Sequence, residues 1–256
     1  MSDLLRHPLL VFGVTLVVMG ASELIGSSLV RKNQDLDEGS RADLSMIAAA
    51  TLTLLGLLIG FSFSMAANRY DQRKGFEEGE ANAIGTEYVR ADLLPSADGA
   101  KVRALLKKYL EQRIRAYTTS DRDQHREVET RSAALQQQLW AAVLGPAAER
   151  PTPITALVVS GMNDVLNSQG YAQAAAWNRI PPQAWVLMAA IAICCNALVG
   201  LGSRPGWARS YLSFILPLVV AVAFYLIAEL DSPHTGLIRV VPQNLIGLGR
   251  SLDAQP

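Results

Sequence analysis

The sequence predicts an all-α integral membrane protein with four transmembrane helices and a helical soluble segment between the second and third. Three observations carry this expectation. First, Pro8 to Val30 (broken only by Glu23), Leu44 to Asn68, Ile180 to Ser203 and Ser210 to Ala228 are otherwise free of charge. Each approaches or exceeds the roughly 20 apolar residues that a helix needs to cross about 30 Å of hydrocarbon. Second, residues 69–179 are rich in charge, with apolar residues at three-and-four spacing. Third, no stretch alternates with the period of two that strands require.

The first span is expected at residues 8–30. Arg6 followed by an apolar run with Gly20-Ala21-Ser22 imitates a secretory signal, but the run continues to Val30 and ends at Arg31-Lys32, as a retained helix does. Glu23 within it is a functional candidate, because a carboxylate at membrane depth is costly. It lies near the far end, where its side chain can reach the interface.

The second span, residues 44–68, carries the most information. It starts near Asp43 as a possible N-cap, and no proline interrupts the chain until Pro95, so the helix can leave the bilayer unbroken, with Gly75, Gly79 and Gly85 as weak points. Gly56, Gly60 and Ser64 form a small-residue stripe of the kind that lets another helix approach closely. Thr53, Leu57 and Phe61, also four apart, form an adjacent line. In a symmetric assembly that line would make an apolar constriction that gates by dewetting, although apolar stripes in membrane helices usually face lipid or packing partners.

Residues 69–179 are expected to be helical and water-soluble. Glu77, Glu80, Glu87, Arg90 and Asp92 place both signs of charge three or four residues apart, which suits a salt-bridged solvated helix or, in an assembly, a ring contacting ions or a partner. Arg69, Glu80, Asn82, Arg90 and Asp92 are the candidates for that contact. Asp98 is a candidate cap for a helix with Val102, Leu105, Leu106, Tyr109, Leu110, Ile114 and Tyr117 on one side and Lys107, Lys108, Arg113 and Arg115 opposite. Ser120 or Asp121 starts the next helix, with Val128, Leu135, Leu139 and Ala142 along one side, closed by Gly145-Pro146. Pro153 starts another, Ile154 to Asn178, before Pro181-Pro182.

The third span is expected at 180–203 and contains the only cysteines, Cys194 and Cys195, which adjacency denies both disulfide geometry and metal-ligand spacing. The fourth, at 210–230, should kink at Pro217. Glu229 and Asp231 then mark the water interface or offer too few oxygens for calcium. Residues 231–256 form a C-terminal tail. Lys and Arg near the membrane favour neither side strongly: Arg6, Arg69, Arg73, Lys74, Arg179 and Arg239 on the side of the termini and middle segment face Arg31, Lys32, Arg41, Arg204 and Arg209 on the other. The expectation is that both termini and the middle segment are cytoplasmic.

Lys plus Arg and Asp plus Glu both number 23, so charge points to no nucleic-acid partner. His7, His125 and His234 are isolated, and no HExxH, CxxC, GxSxG or Walker-type loop is present. No enzyme, cofactor or metal site is expected. Nor do the two halves share the inverted repeat of many transporters.

Leu57-Leu58-Ile59-Gly60-Phe61-Ser62-Phe63-Ser64-Met65 followed by Asn68-Arg69-Tyr70, the stretch from Glu80-Ala81-Asn82-Ala83-Ile84-Gly85 to Arg90-Ala91-Asp92-Leu93-Leu94-Pro95, and Leu230-Asp231-Ser232-Pro233-His234-Thr235-Gly236 with Ile238-Arg239-Val240 resemble the bestrophin-like domain family of bacterial membrane proteins. The likeness to bestrophins proper is more distant and rests on Gly60-Phe61 and Arg69. It implies a pentameric channel in the bacterial inner membrane, with four spans and cytoplasmic termini, passing small inorganic ions, mostly anions, though bacterial relatives can prefer cations. By that resemblance Thr53, Leu57 and Phe61 line a neck, one helix per subunit. Two departures stand out: Glu229 and Asp231 replace a longer acidic run, which weakens the case for calcium gating, and Leu57 stands where a phenylalanine is common. The expected function is therefore an oligomeric ion channel. The alternative is a non-conducting sensor or scaffold whose 69–179 segment binds a cytosolic partner.

Overall fold

A computed structural model describes residues 7–32, 38–119, 121–202, 211–233 and 236–254. Arg6, Ser120, Arg204, Arg209, His234 and Thr235 lie outside the described residues, as do the side chains of Arg31 and Lys32. Among the described residues the chain is helical and holds no strand. Eight α-helices follow in order: α1 Pro8–Lys32, α2 Glu38–Arg90, α3 Ser96–Thr118, α4 Arg122–Glu149, α5 Pro153–Trp177, α6 Pro182–Gly202, α7 Ile215–Asp231 and α8 Gln243–Asp253. The stretches Pro8–Leu29, Gly39–Leu93 and Pro153–Gly202 are long and apolar enough to cross a membrane, the longest charge-free run of the last holding α6.

The chain divides into two compact units. Unit 1 comprises Met1–Arg69 and Arg179–Ile238, and therefore α1, the first part of α2, α6 and α7. Its core is apolar, with Val11, Met19, Leu55, Met188, Phe224 and Ile227 buried together. Phe12 meets Tyr225 and Trp185 meets Phe224 edge to face, the arrangement that aromatic quadrupoles favour. Helices α1 and α6 come together at bare positions. A Cβ on Gly26 would lie 2.3 Å from the Ala197 carbonyl oxygen, and one on Gly200 would lie 2.2 Å from that of Glu23. Ser22 Oγ crosses the same seam to donate to the Ile193 carbonyl at 2.7 Å. Glycine here permits backbone approach, the device that packs helices where no hydrophobic force separates lipid from protein.

Several expected boundaries move. Asp43 lies inside α2, which already begins at Glu38. Pro217 does not kink the middle of a span: a 3₁₀ turn, Tyr211–Phe214, precedes α7, so Pro217 falls in the first α-helical turn, where a missing N–H leaves no bond unmade.

Unit 2 comprises Tyr70–Asn178 and Arg239–Pro256. Its core gathers Ile84 from α2, Leu106 and Tyr109 from α3, Leu139 and Val143 from α4, Met162 and Val165 from α5, and Leu245 and Leu252 from α8. Helix α3 starts at Ser96 after Pro95, so Asp98 is no cap but sits in the first turn, where its charge favours the helix dipole. Asp121 caps α4, its Oδ1 accepting from the amides of Asp123 at 2.9 Å and Gln124 at 3.0 Å. Helix α4 passes through Gly145-Pro146 to Glu149 because a proline one turn from the end removes a single internal bond. Thr152 and Thr155 form a reciprocal capping box for α5. The expected tail contains α8, a short amphipathic helix whose Leu245, Leu248 and Leu252 face this core.

Candidate functional site

Within unit 1, α2 turns one side inward. Leu55, Ser62 and Ala66 are buried, whereas Thr53, Gly56, Leu57, Gly60, Phe61 and Ser64 are all exposed, Leu57 at 54% and Phe61 at 64%. At 100° per residue the two sets lie on opposite sides of the helix, about 180° apart. Among the described residues nothing beyond the backbone of its own helix and its chain neighbours comes within 4 Å of where a Cβ on Gly56 or Gly60 would lie. Of the strongly apolar part of α2, 6% is buried by its own chain, against 33% for the corresponding parts of the other two long apolar stretches. Thr53 Oγ1 donates to the Ala49 carbonyl at 2.9 Å, so its hydroxyl proton is satisfied within the helix and the line stays compatible with an apolar surrounding.

Where α2 reaches Arg69, a charged knot closes unit 1. Asp231, at the end of α7, accepts from the Ile180 amide at 2.9 Å and pairs with Arg69 at 3.5 Å and Arg179 at 3.6 Å. Arg179 also donates to Ser232 Oγ at 2.9 Å. Glu229 accepts from the amides of Leu237 at 2.7 Å and Ile238 at 3.2 Å. The loop between them turns at Gly236, whose φ of 113° suits glycine, and a Cβ there would strike the Glu229 carboxylate. Two carboxylates engaged in this way by protein donors fall short of the six to eight oxygens that a calcium ion takes. Among the described residues no group of three or more His, Cys, Asp or Glu is placed to hold a metal.

In unit 2, α2 buries carboxylates. Glu77, Glu80, Ile84 and Glu87, at spacings of three, four and three, share one face and are fully inaccessible. Glu77 caps α8: its Oε1 accepts from the amides of Asn244 and Leu245, both at 3.0 Å, and its Oε2 from the Asn244 side chain at 2.7 Å. Glu80 pairs closely with Arg113 of α3 and accepts from Tyr117 Oη at 3.3 Å. Arg113 reaches Glu129 of α4 at 3.4 Å. Burial opposes the charge on Arg113, but Glu80 beside it prevails and holds the guanidinium protonated above its ordinary range.

The expected contact residues thus separate. Arg69 belongs to the knot of unit 1, Glu80 to the core of unit 2, and Asp92 pairs with Arg103 at the surface of unit 2. Asn82 is exposed and Arg90 half-buried. The sequence pattern sets Arg113 on the polar side of its helix, yet it is buried against Glu80, and that pattern does not give Glu77 its capping role. The available signal was the three-and-four spacing of the three glutamates with Ile84, read as a solvated face because of their charge.

A model of the bestrophin-like domain matches residues 14–245. A crystal structure of a bacterial bestrophin homologue from Klebsiella pneumoniae superposes with a TM-score of 0.66 at 14% identity, covering 95% of this chain and 96% of that one. A tryptophan-to-alanine variant gives 0.65 at 14% identity, over 94% and 95% of the two chains. Another membrane-protein structure, with a glycine-to-alanine substitution, gives 0.67 at 12% identity, over 95% and 96%. At these identities the likeness establishes the fold. No curated protein matches the chain.

Proposed function

Because the chain belongs to the bestrophin-like family, we propose that it is an oligomeric membrane channel whose copies, five by family resemblance, surround a pore lined by α2. The observation that carries this is the uncovered side of α2: six residues chosen for lining and packing all lie opposite the side that the chain buries for itself. Thr53, Leu57 and Phe61 face the axis and form an apolar neck. Gly56, Gly60 and Ser64 take the neighbouring copy. Four spans cross the bacterial inner membrane: α1, the first part of α2, α6, and α7 with its preceding turn. Both termini and residues 69–179 are cytoplasmic. The ions are small anions, and Arg69, Asn82, Arg90 and Asp92 contact ions or partners outside the neck. Glu80 acts through Arg113 by fixing α3 to α2 rather than by meeting the ion.

Reconstitution in liposomes tests the proposal. Wild type is expected to pass chloride, and Leu57→Ala and Phe61→Ala to change the flux several-fold. Silent wild-type liposomes, or flux indifferent to both substitutions, would count against the pore. A second reading, a scaffold that binds a cytosolic partner through unit 2, draws on an open groove of about 730 Å³ between α4 and α5 lined by Trp140, Pro151, Pro153 and Val159. Silent liposomes together with a stoichiometric partner retained by the full chain would favour it.

A further inference from the structure

Glu87 differs from the two glutamates that share its face. Glu77 and Glu80 have their donors, but neither oxygen of Glu87 has a hydrogen-bond partner among the described residues, and the residue is fully buried. What covers it is α5, at a position with no side chain. A Cβ on Gly161 would lie 2.1 Å from Glu87 Oε2 and 2.4 Å from Arg90 Nη1. Helix α5 therefore seats over this carboxyl only because residue 161 is bare.

A carboxylate taken from water without donors is strongly disfavoured, whereas the neutral acid is tolerated. The charges that act on Glu87 are Arg90, three residues on along α2, and Asp164 on α5; none from α3, α4 or α8 is among them. Burial pushes the acid up to about 8, with Arg90 opposing and Asp164 assisting. Its proton is thus exchanged in the neutral to mildly alkaline range rather than in acid.

We propose that Glu87 is a proton-binding site that controls how α5 packs on α2: protonated, the carboxyl fits beneath Gly161, and ionised, it draws in water and loosens α5. The proton goes to and comes from bulk water, and no other reactant is needed. The direction follows from linkage. A carboxyl whose folded-state pKa is raised makes the packed form bind more protons than the open form. The stabilisation is full below the ordinary carboxylate range and is lost as pH rises through about 8. The site does not depend on the pore proposal, since it concerns packing within unit 2.

Hydrogen exchange on the full chain in detergent, read on peptides within residues 153–177 and corrected for intrinsic exchange, tests it. Between pH 6 and pH 9 the opening of wild-type α5 should rise about tenfold or more, while Glu87→Gln should stay at the low-pH level throughout. Equal pH dependence in wild type and Glu87→Gln, or none in wild type, would overturn the site. Gly161→Ala supplies a second variant: its methyl evicts the carboxyl, so α5 should already be open at pH 6 and change little at pH 9. Wild-type protection and pH response in Gly161→Ala would also overturn it. Chloride flux after reconstitution of the same variants in liposomes judges the pore separately, so failure of one proposal is distinguishable from failure of the other.

Discussion

One helix, α2, buries opposite chemistry in its two parts. In unit 1 its inward side is Leu55, Ser62 and Ala66 and its outward side is apolar as well. In unit 2 its inward side includes Glu77, Glu80 and Glu87, while Asp71, Lys74 and Asn82 face out. The contrast teaches that polarity alone does not tell which side of a helix faces in. Where surroundings are apolar, small residues and backbone approach decide the packing. Where water is present, a buried charge can do so, provided that a partner is supplied by another helix.

The sharpest way to break this contrast is to strand a charge. Arg113→Leu leaves Glu80 buried without its cation and should destabilise unit 2 by about 3–5 kcal/mol. Loss of protection in α3 and α4 by hydrogen exchange would register it, and adding Glu80→Leu should restore much of the loss. If the single substitution were harmless, charge would not organise this core.

Gly200→Ala makes the corresponding test in unit 1. A methyl driven at the Glu23 carbonyl should cost about 1–3 kcal/mol by overpacking, seen as a lower melting temperature in detergent. Gly56→Ala meets nothing in its own chain, so it should leave that temperature unchanged while reducing particle mass if copies meet there. Equal effects at the two positions would erase the distinction between packing within and between chains.

Glu77→Ala removes the acceptor for two amides of α8 and should loosen that helix by about 1–2 kcal/mol, read as faster exchange over residues 243–253. Asp92→Ala breaks an exposed pair with Arg103 and should shift stability by less than about 1 kcal/mol. A larger loss there would mean that surface charge matters as much as buried charge.

Much of the fold was legible in the sequence, and particular residues show why. The absence of proline between Asp43 and Pro95 announced an unbroken α2, and Asp121 announced the start of α4, because both signals are local. The seam of Gly26 and Gly200 was not legible, since a glycine tolerates close approach only toward a partner that lies far along the chain. Glu80 read as surface because its compensation, Arg113, is 33 residues away. Helix α8 was missed because 11 residues containing Gly247 and Gly249 make a weak helix that packing alone secures. Gly56, Gly60 and Ser64 stand out by spacing, and Thr53, Leu57 and Phe61 by spacing together with family resemblance, because a helix face is a local property of the sequence.

The core of unit 2 is discontinuous, drawing on residues 70–178 and then on Leu245 and Leu252. A chain made from its N-terminus has Glu77 waiting without its α8 donors while Arg179 to Ile238 are synthesised, and only the arrival of α8 completes the hydrophobic interior. Biogenesis therefore has a fixed order: the helices of unit 1 are all made before unit 2 can close. A chain cut short after α7 carries a unit 2, residues 70–178, that stays open to proteases.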